Sequence, residues 1–420
     1  MSTTGIGRTI FVTGATGFLG KVVIEELLRL REKYVICEII ILLRKRGSFD
    51  AQARFQQQVA ISRCFASLTG DWARFIRVME GDLANTDCGL QARDYEQVCD
   101  TVTHIIHTAA CIKFDSTVLE ALSSNVDSAC NILALAKDCR NLEQLVVTST
   151  AYVTPPQKGP IYEELVQLPC PASKLESDLR NELLQKHEAI AATGHPNIYS
   201  LSKCLAEHLV CEGRGSVPVT IVRPSIISAA IRFPKPGWID SPAAFGGLVL
   251  HFGTGTLRVL NGRREAKLDI VPVDVVAQDL IHETFRHNVE TSRRESVRIV
   301  FSVATARNCL SLGNACEILQ RSFHKQFQYI GPHSYDLKLQ DLLHHGREVL
   351  RHKDGTPQQT AAKKRWRIVT GINAVFEPYT NFTYDFRPKR LSVRLNPHEY
   401  IQTICQGVRW NLMKPDSSKL

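Results

Sequence analysis

The sequence predicts an α/β fold: a doubly wound parallel sheet with inserted substrate-binding elements and a mainly helical C-terminal domain. Three observations carry that expectation. Short aliphatic runs alternate with amphipathic stretches through residue 153, which is the pattern of parallel strands joined by right-handed crossovers. The first run, Ile10-Phe11-Val12-Thr13, is followed at once by Gly14, Gly17 and Gly20, and an amphipathic stretch follows from Lys21 to Leu30. From about residue 310 onward helical periodicity takes over. The boundaries expected are 1–285 for the α/β unit, with substrate elements at 155–195 and 224–270, and 310–420 for the helical unit.

Strand, glycine loop and helix in that order form the dinucleotide-binding turn of a Rossmann fold. Gly14 permits the tight exit from the strand. Gly17 lets backbone approach a pyrophosphate, because a Cβ there would collide with it. Gly20 lets the new helix pack closely, and the helix N-terminus offers unpaired N–H groups to the phosphates. The second strand, Glu38 to Leu43, is nearly all aliphatic and ends in Arg44-Lys45-Arg46. An acidic residue there would bind the ribose 2′-hydroxyl, whereas arginine accommodates a 2′-phosphate. Three cations and no carboxylate predict NADPH rather than NADH.

Gln52 to Leu68 has a half-polar helical pattern, and Arg77 to Glu80 then leads into Gly81-Asp82-Leu83. That places a carboxylate near the adenine at the sheet's C-terminal edge. The next strand, Thr103 to His107, ends in Thr108-Ala109-Ala110, whose small side chains let backbone pass under the cofactor. His107 and Lys113 read as ordinary polar groups rather than catalysts. A helix is expected from Asn125 through Ala136, and a buried strand from Leu145 to Tyr152 ending in hydroxyls. The prolines at 155, 156, 160, 169 and 171 mark an irregular excursion, with a charged helix expected from about Lys174 to Ala192. Arg223-Pro224 closes a further strand and is expected to turn the chain toward substrate. Pro242 to Leu260 is glycine-rich and apolar. It fits an acyl tunnel, a membrane-facing surface, or a plain buried helix and turn. Val271 to Leu280 returns to the core.

Composition narrows the function. With 420 residues and 44% hydrophobic content the chain can bury one large core or two ordinary ones. Its net charge of +9 suits phosphate-bearing ligands, but the cations are scattered, including Lys363-Lys364-Arg365 and Arg387 to Arg394. No nucleic-acid-binding signature is present. The 13 cysteines contain no C-x-x-C pair, which predicts reduced thiols in a cytoplasmic setting and no metal site. Met1 leads almost directly into the first strand, leaving no room for a signal peptide. No run approaches the roughly 20 apolar residues of a membrane span.

The chemistry is expected at Tyr199 and Lys203, which share one face of a helix at i,i+4 spacing. A phenol with a pKa of about 10 is a poor acid–base group near neutrality. A neighbouring ammonium stabilises the phenolate and is expected to pull that pKa down. Thr150, at a strand end, can place its hydroxyl beside the phenol. Together they would hydrogen-bond a carbonyl oxygen while hydride arrives at its carbon.

With Thr13-Gly14-Ala15-Thr16-Gly17-Phe18-Leu19-Gly20, Asn125, Ser149-Thr150 and Tyr199-Ser200-Leu201-Ser202-Lys203, the chain resembles the extended short-chain dehydrogenase/reductase superfamily. The resemblance implies that Thr150 orients the carbonyl, Tyr199 is the acid, and Lys203 also contacts the nicotinamide ribose. It extends the cofactor-binding set to Thr13, Gly14, Thr16, Gly17, Phe18, Leu19, Gly20, Arg44, Arg46, Asp82, Leu83, Thr108, Tyr199 and Lys203.

A narrower resemblance rests on Ser149 to Tyr152, Gly194 to Tyr199, Arg223-Pro224-Ser225, Pro236-Gly237-Trp238-Ile239-Asp240 and Asp269 to Asp274. These are similar to the fatty acyl-CoA reductases of the male-sterility type. Asn381-Phe382-Thr383, Tyr400 and Gly407 to Lys414 are similar to the end of that family's C-terminal helical domain. Two positions depart from it: Ser241 stands where the family has Asn, and Ala244-Phe245 where it has Gly-Pro. Both departures are expected near the acyl or CoA site. The resemblance implies NADPH-dependent reduction of an acyl-CoA or acyl-carrier thioester to aldehyde and on to alcohol, without a cysteine nucleophile. Cys111 and Cys204 then serve packing. A cytoplasmic enzyme is expected, with peripheral membrane contact, oligomeric state and acyl length left open. Two other functions remain open at this point. One is an extended-branch reductase acting on a nucleotide sugar, steroid or other small carbonyl. The other is an NADPH-binding regulator without turnover.

Overall fold

Ile10 and Val12 of the first strand enter one apolar layer and Phe11 enters the other. This alternation buries the strand from both sides. It lies at the centre of the computed structural model, which describes residues 7–286, 297–325, 328–330, 349, 351 and 355–413. The main sheet comprises β1 (Arg8–Thr13), β2 (Ile36–Leu43), β3 (Ile76–Glu80), β4 (His104–His107), β5 (Gln144–Thr148), β6 (Val219–Pro224) and β7 (Arg298–Ser302). Its seven strands run in the order β7-β6-β5-β4-β1-β2-β3 and every pairing is parallel. The order reverses between β1 and β4. In such sheets the crevice beyond the strand C-termini at that reversal is where ligands bind.

The helices that shape the site are α1 (Phe18–Arg29), α2 (Ser128–Asp138), α3 (Ile198–Gly213), α4 (Ala244–Gly253), α5 (Val273–Thr284), α6 (Leu312–Phe323), α7 (Pro357–Thr380) and α8 (Pro397–Asn411). α1 and α5 cover the face that receives Ile10 and Val12, whereas α2 and α3 cover the face that receives Phe11. The doubly wound α/β architecture is therefore as the sequence predicts.

Several boundaries differ for local reasons. The helix expected over Gln52–Leu68 is broken into Ala51–Phe55, a π turn at Gln56–Ala60 and a 3₁₀ turn at Arg63–Phe65. Ser62 restarts the chain there by accepting from the Cys64 N–H. The helix expected to begin at Asn125 begins at Val118, where Thr117 and Glu120 form a capping box. It runs through a π turn at Leu122–Asp127 into α2. The charged helix expected over Lys174–Ala192 splits into Ala172–Arg180 and Lys186–Thr193. Glu182 adopts φ 57° at the break, and Gln185 and Glu188 box the second start. The strand expected to reach Tyr152 ends at Thr148, and Thr150 caps a 3₁₀ turn at Ala151–Val153. The Pro242–Leu260 stretch contains α4, whose Phe245, Leu248, Val249 and Phe252 are buried in the core. This is the packed-helix alternative rather than a tunnel or membrane face.

β7 completes the main sheet from a stretch that lies between the two units expected from sequence. One apolar cluster joins Ala151, Tyr152, Ile239 and Phe245 to Tyr379, Tyr384, Tyr400, Ile404 and Val408. The C-terminal helices thus share a core with the substrate elements. Tyr400 donates from its hydroxyl to the Ala229 carbonyl at 2.9 Å, deep in that cluster. Lys414 and residues 331–348 of the expected helical region lie outside the described residues.

Candidate active site

Gly14 leaves β1 with φ 76°, a left-handed conformation that only glycine adopts freely. A Cβ on Gly20 would lie 2.1 Å from the Gly14 carbonyl oxygen, so the loop and the first turn of α1 are in direct backbone contact. At Gly17 a Cβ would meet only the Gly14 carbonyl, at 3.2 Å. α1 starts at Phe18 with Gly17 as its cap, no capping side chain and no acidic residue in the first turn. The first-turn N–H groups of such a helix have no intrahelical partner and suit a phosphate. The loop therefore fits a dinucleotide pyrophosphate in both shape and donor set.

Two side chains brace this loop from a distant segment. The Phe18 ring stacks on Trp238 with centroids 5.3 Å apart, and Lys21 Nζ donates to Asp240 Oδ2 at 2.6 Å. Trp238 and Asp240 therefore support the cofactor loop. Behind it, Gly237 lies against Gly407 of α8, where a Cβ on Gly407 would fall 1.9 Å from the Gly237 carbonyl oxygen. Asn411 Nδ2 donates to the same carbonyl at 3.2 Å.

Thr13 and Thr108 fasten the ends of β1 and β4. The Thr108 hydroxyl donates to the Thr13 carbonyl at 2.7 Å, and the Ala109 N–H donates to Thr13 Oγ1 at 3.3 Å. Thr13 Oγ1 is also 2.9 Å from His107 Nδ1. Burial pushes the His107 pKa down to about 3, so the imidazole is neutral and structural. Asp82 accepts from the Ala84 N–H at 3.1 Å and so shapes its own turn, while the Leu83 carbonyl accepts from Asn131 Nδ2 at 2.8 Å.

At the far end of the loop, Arg44 and Arg46 are exposed. Between them and the glycine loop lies Arg54, which sequence reasoning missed. It is 6% exposed. Its guanidinium donates to the Arg44 carbonyl at 2.7 Å, to Gln58 Oε1 at 3.2 Å and to Thr16 Oγ1 at 3.4 Å. Burial, then the charges of Arg44 and Arg46, push the Arg54 pKa down. Three guanidinium groups crowded in one corner fit an anionic partner. The signal was one more arginine on the helix after the Arg44-Lys45-Arg46 run.

Tyr199 and Lys203 stand on α3, whose start is fixed by Asn197 accepting from the Ser200 N–H at 2.9 Å. Tyr199 is half-buried, and the Thr150 side chain reaches its phenol. Lys203 is buried and donates to the Thr148 carbonyl at 2.9 Å. The structure thus brings Thr150, Tyr199 and Lys203 together beyond the end of β5.

Their electrostatics correct one expectation. Burial raises the Tyr199 pKa, Tyr379 adds to the rise, and Thr150 only partly opposes it. Burial also lowers the Lys203 pKa to about 8, against the opposing pull of Glu207. Desolvation sets the direction, and the expected lowering of the phenol by the ammonium is not found. The phenol therefore stays protonated near neutrality, which suits a proton donor. Thr148 Oγ1, Ser149 Oγ and His107 Nε2 are buried nearby without hydrogen-bond partners among the described residues. Such orphan polar atoms at the C-terminal sheet edge fit a polar ligand in the crevice.

Asn125 ties the surroundings together. Its Oδ1 accepts from the Cys111 N–H at 2.9 Å and its Nδ2 donates to Ser202 Oγ at 2.9 Å. Cys204 is buried packing, as expected, but Cys111 is only half-buried and lies close enough to act on the Tyr199 phenol. The Arg223 side chain is buried, paired with Glu207 of α3 at 2.5 Å, and donates to the Glu164 carbonyl at 2.8 Å. It anchors the proline-rich excursion to α3.

The Tyr199 side of the crevice carries an aromatic wall. Phe114 meets Tyr199 edge-on at 5.4 Å. Tyr379 of α7 meets Tyr152 at 4.7 Å, and its hydroxyl accepts from Asn197 Nδ2 at 3.2 Å. No local pattern marked Tyr379 as a site residue.

The family model described as male sterility protein matches residues 12–280. Among curated proteins, the chain is 30% identical over 354 residues to fatty acyl-CoA reductase wat of Drosophila melanogaster, covering 80% of this chain and 67% of that one. It is 33% identical over 280 residues to fatty acyl-CoA reductase 1 of Homo sapiens, covering 64% and 53%. The chain thus spans between about half and two thirds of the length of these relatives. Among solved structures, it is similar to the terminal R domain from the myxalamid PKS-NRPS biosynthetic pathway. That match has a TM-score of 0.70 at 21% identity and covers 97% of this chain and 92% of the other. A UDP-glucuronic acid 4-epimerase from Bacillus cereus, solved with NAD, matches with a TM-score of 0.52 at 14% identity, covering 87% and 100%.

Proposed function

The chain belongs to the male sterility protein family, and from that premise we propose that it is an NADPH-dependent reductase of fatty acyl thioesters. The observation that carries this reading is the convergence of Thr150, Tyr199 and Lys203 beyond the end of β5, on the same sheet edge as the glycine loop that follows β1. The glycine loop and the Arg44, Arg46 and Arg54 corner would hold NADPH, by its pyrophosphate and its 2′-phosphate. NADPH, when bound, supplies the hydride that adds to the thioester carbon.

The protein's residues handle the oxygen and its proton. As the carbonyl oxygen gains charge, Tyr199 and Thr150 are the two donors aimed at it. A phenol held protonated by burial gives up its proton only to a strongly basic oxyanion, so donation is coupled to hydride addition. Lys203 beside the phenol then stabilises the phenolate that remains, until solvent reprotonates it. The adduct carries a hydroxyl and a thiolate leaving group on one carbon. Its collapse expels the thiol and leaves an aldehyde. One hydride and one proton thus convert thioester to aldehyde and thiol. A second hydride, which a second NADPH would supply after the first cofactor leaves oxidised, and a second proton take the aldehyde to alcohol on the same donors. No cysteine nucleophile is needed. The names of the curated relatives support the fatty acyl-CoA substrate class.

The test is a panel of acyl-CoA thioesters with NADPH, with products identified by mass spectrometry. Consumption of NADPH with aldehyde or alcohol formed is expected. Tyr199→Phe should lower turnover by about a hundredfold or more, the usual range for a lost proton donor, while leaving NADPH affinity intact. Undiminished turnover in that variant would refute Tyr199 as the acid.

A further inference from the structure

We propose that a surface cavity beside the catalytic helix receives the phosphopantetheine arm of the thioester, with Arg263 meeting the phosphate. This rests on the thioester reading above. The cavity has a volume of about 480 Å³, and Pro196, Arg263, Glu377, Pro378, Asn381 and Phe382 line it. Its position ties it to the site. Pro196 directly precedes Asn197, which caps α3 two residues before Tyr199, and Pro378 directly precedes Tyr379. Asn197 and Tyr379 are themselves hydrogen-bonded. The cavity therefore abuts the wall that carries the aromatic side of the site.

Its chemistry matches the apolar segment and the phosphate of the arm. A phosphopantetheine carries a gem-dimethyl segment, two amides and a phosphate at the end away from sulfur. Pro196, Pro378 and the half-exposed Phe382 offer apolar surface to the methyl groups. Asn381 Nδ2 donates to the Glu377 carbonyl at 3.0 Å. Arg263 is held by its backbone: its N–H donates to the Thr380 carbonyl at 2.9 Å, and its carbonyl accepts from the Ala266 N–H at 3.1 Å. Its side chain is exposed and forms no ion pair among the described residues. A guanidinium carried into the cavity lining by an anchored backbone, and itself without a carboxylate partner, suits a phosphate. Glu377 is the opposing charge in the lining and sets a limit on that attraction.

The arm is common to acyl-CoA and to an acyl-carrier protein, so both serve as substrates in the test, beside an acyl-N-acetylcysteamine that lacks the phosphate. Arg263→Ala should raise KM about five- to tenfold for the phosphate-bearing substrate that the protein uses, as expected for one solvent-facing guanidinium–phosphate contact. Its kcat should hold within about twofold, and KM for the truncated thioester should not move. A rise with acyl-CoA alone assigns the free coenzyme, and a rise with the carrier alone assigns the carrier-borne arm. Glu377→Gln should shift KM the opposite way. An unchanged KM, or an equal rise with the truncated thioester, overturns the assignment. Calorimetry with 4′-phosphopantetheine on the wild type and Arg263→Ala separates this from the reaction itself. Arg263-dependent binding without turnover of any thioester would sink the proposed function and keep the subsite. Turnover with no such dependence would do the reverse.

Discussion

The two walls of the crevice are built in opposite ways. The cofactor wall comes from one short stretch, Gly14 to Gly20, whose geometry is decided by backbone sterics between near neighbours. The opposite wall joins residues as far apart as Asn197 and Tyr379, held by side-chain hydrogen bonds and ring packing. Yet the device of the first wall recurs where α8 meets the segment that braces it. At Gly20 a Cβ would strike the Gly14 carbonyl, and at Gly407 it would strike the Gly237 carbonyl. The difference lies only in how far along the chain the struck atom is. Glycine at a backbone crossing is readable when both strands of the crossing sit in one motif, and silent when they do not.

Substituting the two crossings tests that equivalence and carries the largest expected effect. Gly20→Ala and Gly407→Ala should each cost about 2–3 kcal/mol of stability, since the obstructing atoms are backbone and cannot rotate away. Denaturant unfolding measures the loss. Gly371→Ala in α7, with nothing near its would-be Cβ, should be neutral or slightly stabilising. The walls should then part in function. The folded fraction of Gly407→Ala keeps NADPH affinity, and that of Gly20→Ala loses it. Equal retention of cofactor by both variants would break the assignment of the loop.

A smaller effect is expected at the corner where the cofactor wall meets the second strand. Arg54→Met keeps the apolar stem and removes the charge. It should raise KM for NADPH about tenfold through the lost charge-assisted contact, and leave KM for NADH alone. Equal use of both cofactors by the wild type would remove the 2′-phosphate from this corner. That experiment also tests how far a sequence motif reaches, because Arg44 and Arg46 were evident and Arg54 was not.

What was legible follows the same division. The parallel sheet, the glycine loop, Thr150 and the Tyr199/Lys203 pair depend on periodicity and fixed spacing, and all are found where the sequence places them. The capping box at Thr117 and Glu120 was equally local, yet the expected helix began seven residues after Val118, at Asn125. Tyr379 and the stacking of Phe18 on Trp238 depend on tertiary contacts over long separations, for which a single sequence carries no signal. The direction of the Tyr199 shift was also out of reach. It depends on burial first and then on Tyr379, which α7 brings in from far along the chain.

The smallest expected effect concerns the segment that links the two walls. After Trp238 and Asp240 brace the cofactor loop, the chain enters α4 through Ala244, which adopts φ 49°. The family that this chain resembles carries glycine there. An L-residue in the left-handed region costs roughly 1–2 kcal/mol, of which glycine's greater unfolded-state freedom takes back about 0.5–1. Ala244→Gly should therefore stabilise the protein by about 0.5 kcal/mol, read as a small rise in the denaturant midpoint at unchanged slope. The side chain at 244 is exposed, so no packing is lost to confuse the result. A loss of stability would mean that the turn is held by the alanine methyl rather than tolerated in spite of it. The Ser241 to Phe245 departure from the family would then mark a repacked junction between the walls, with its own fixed geometry.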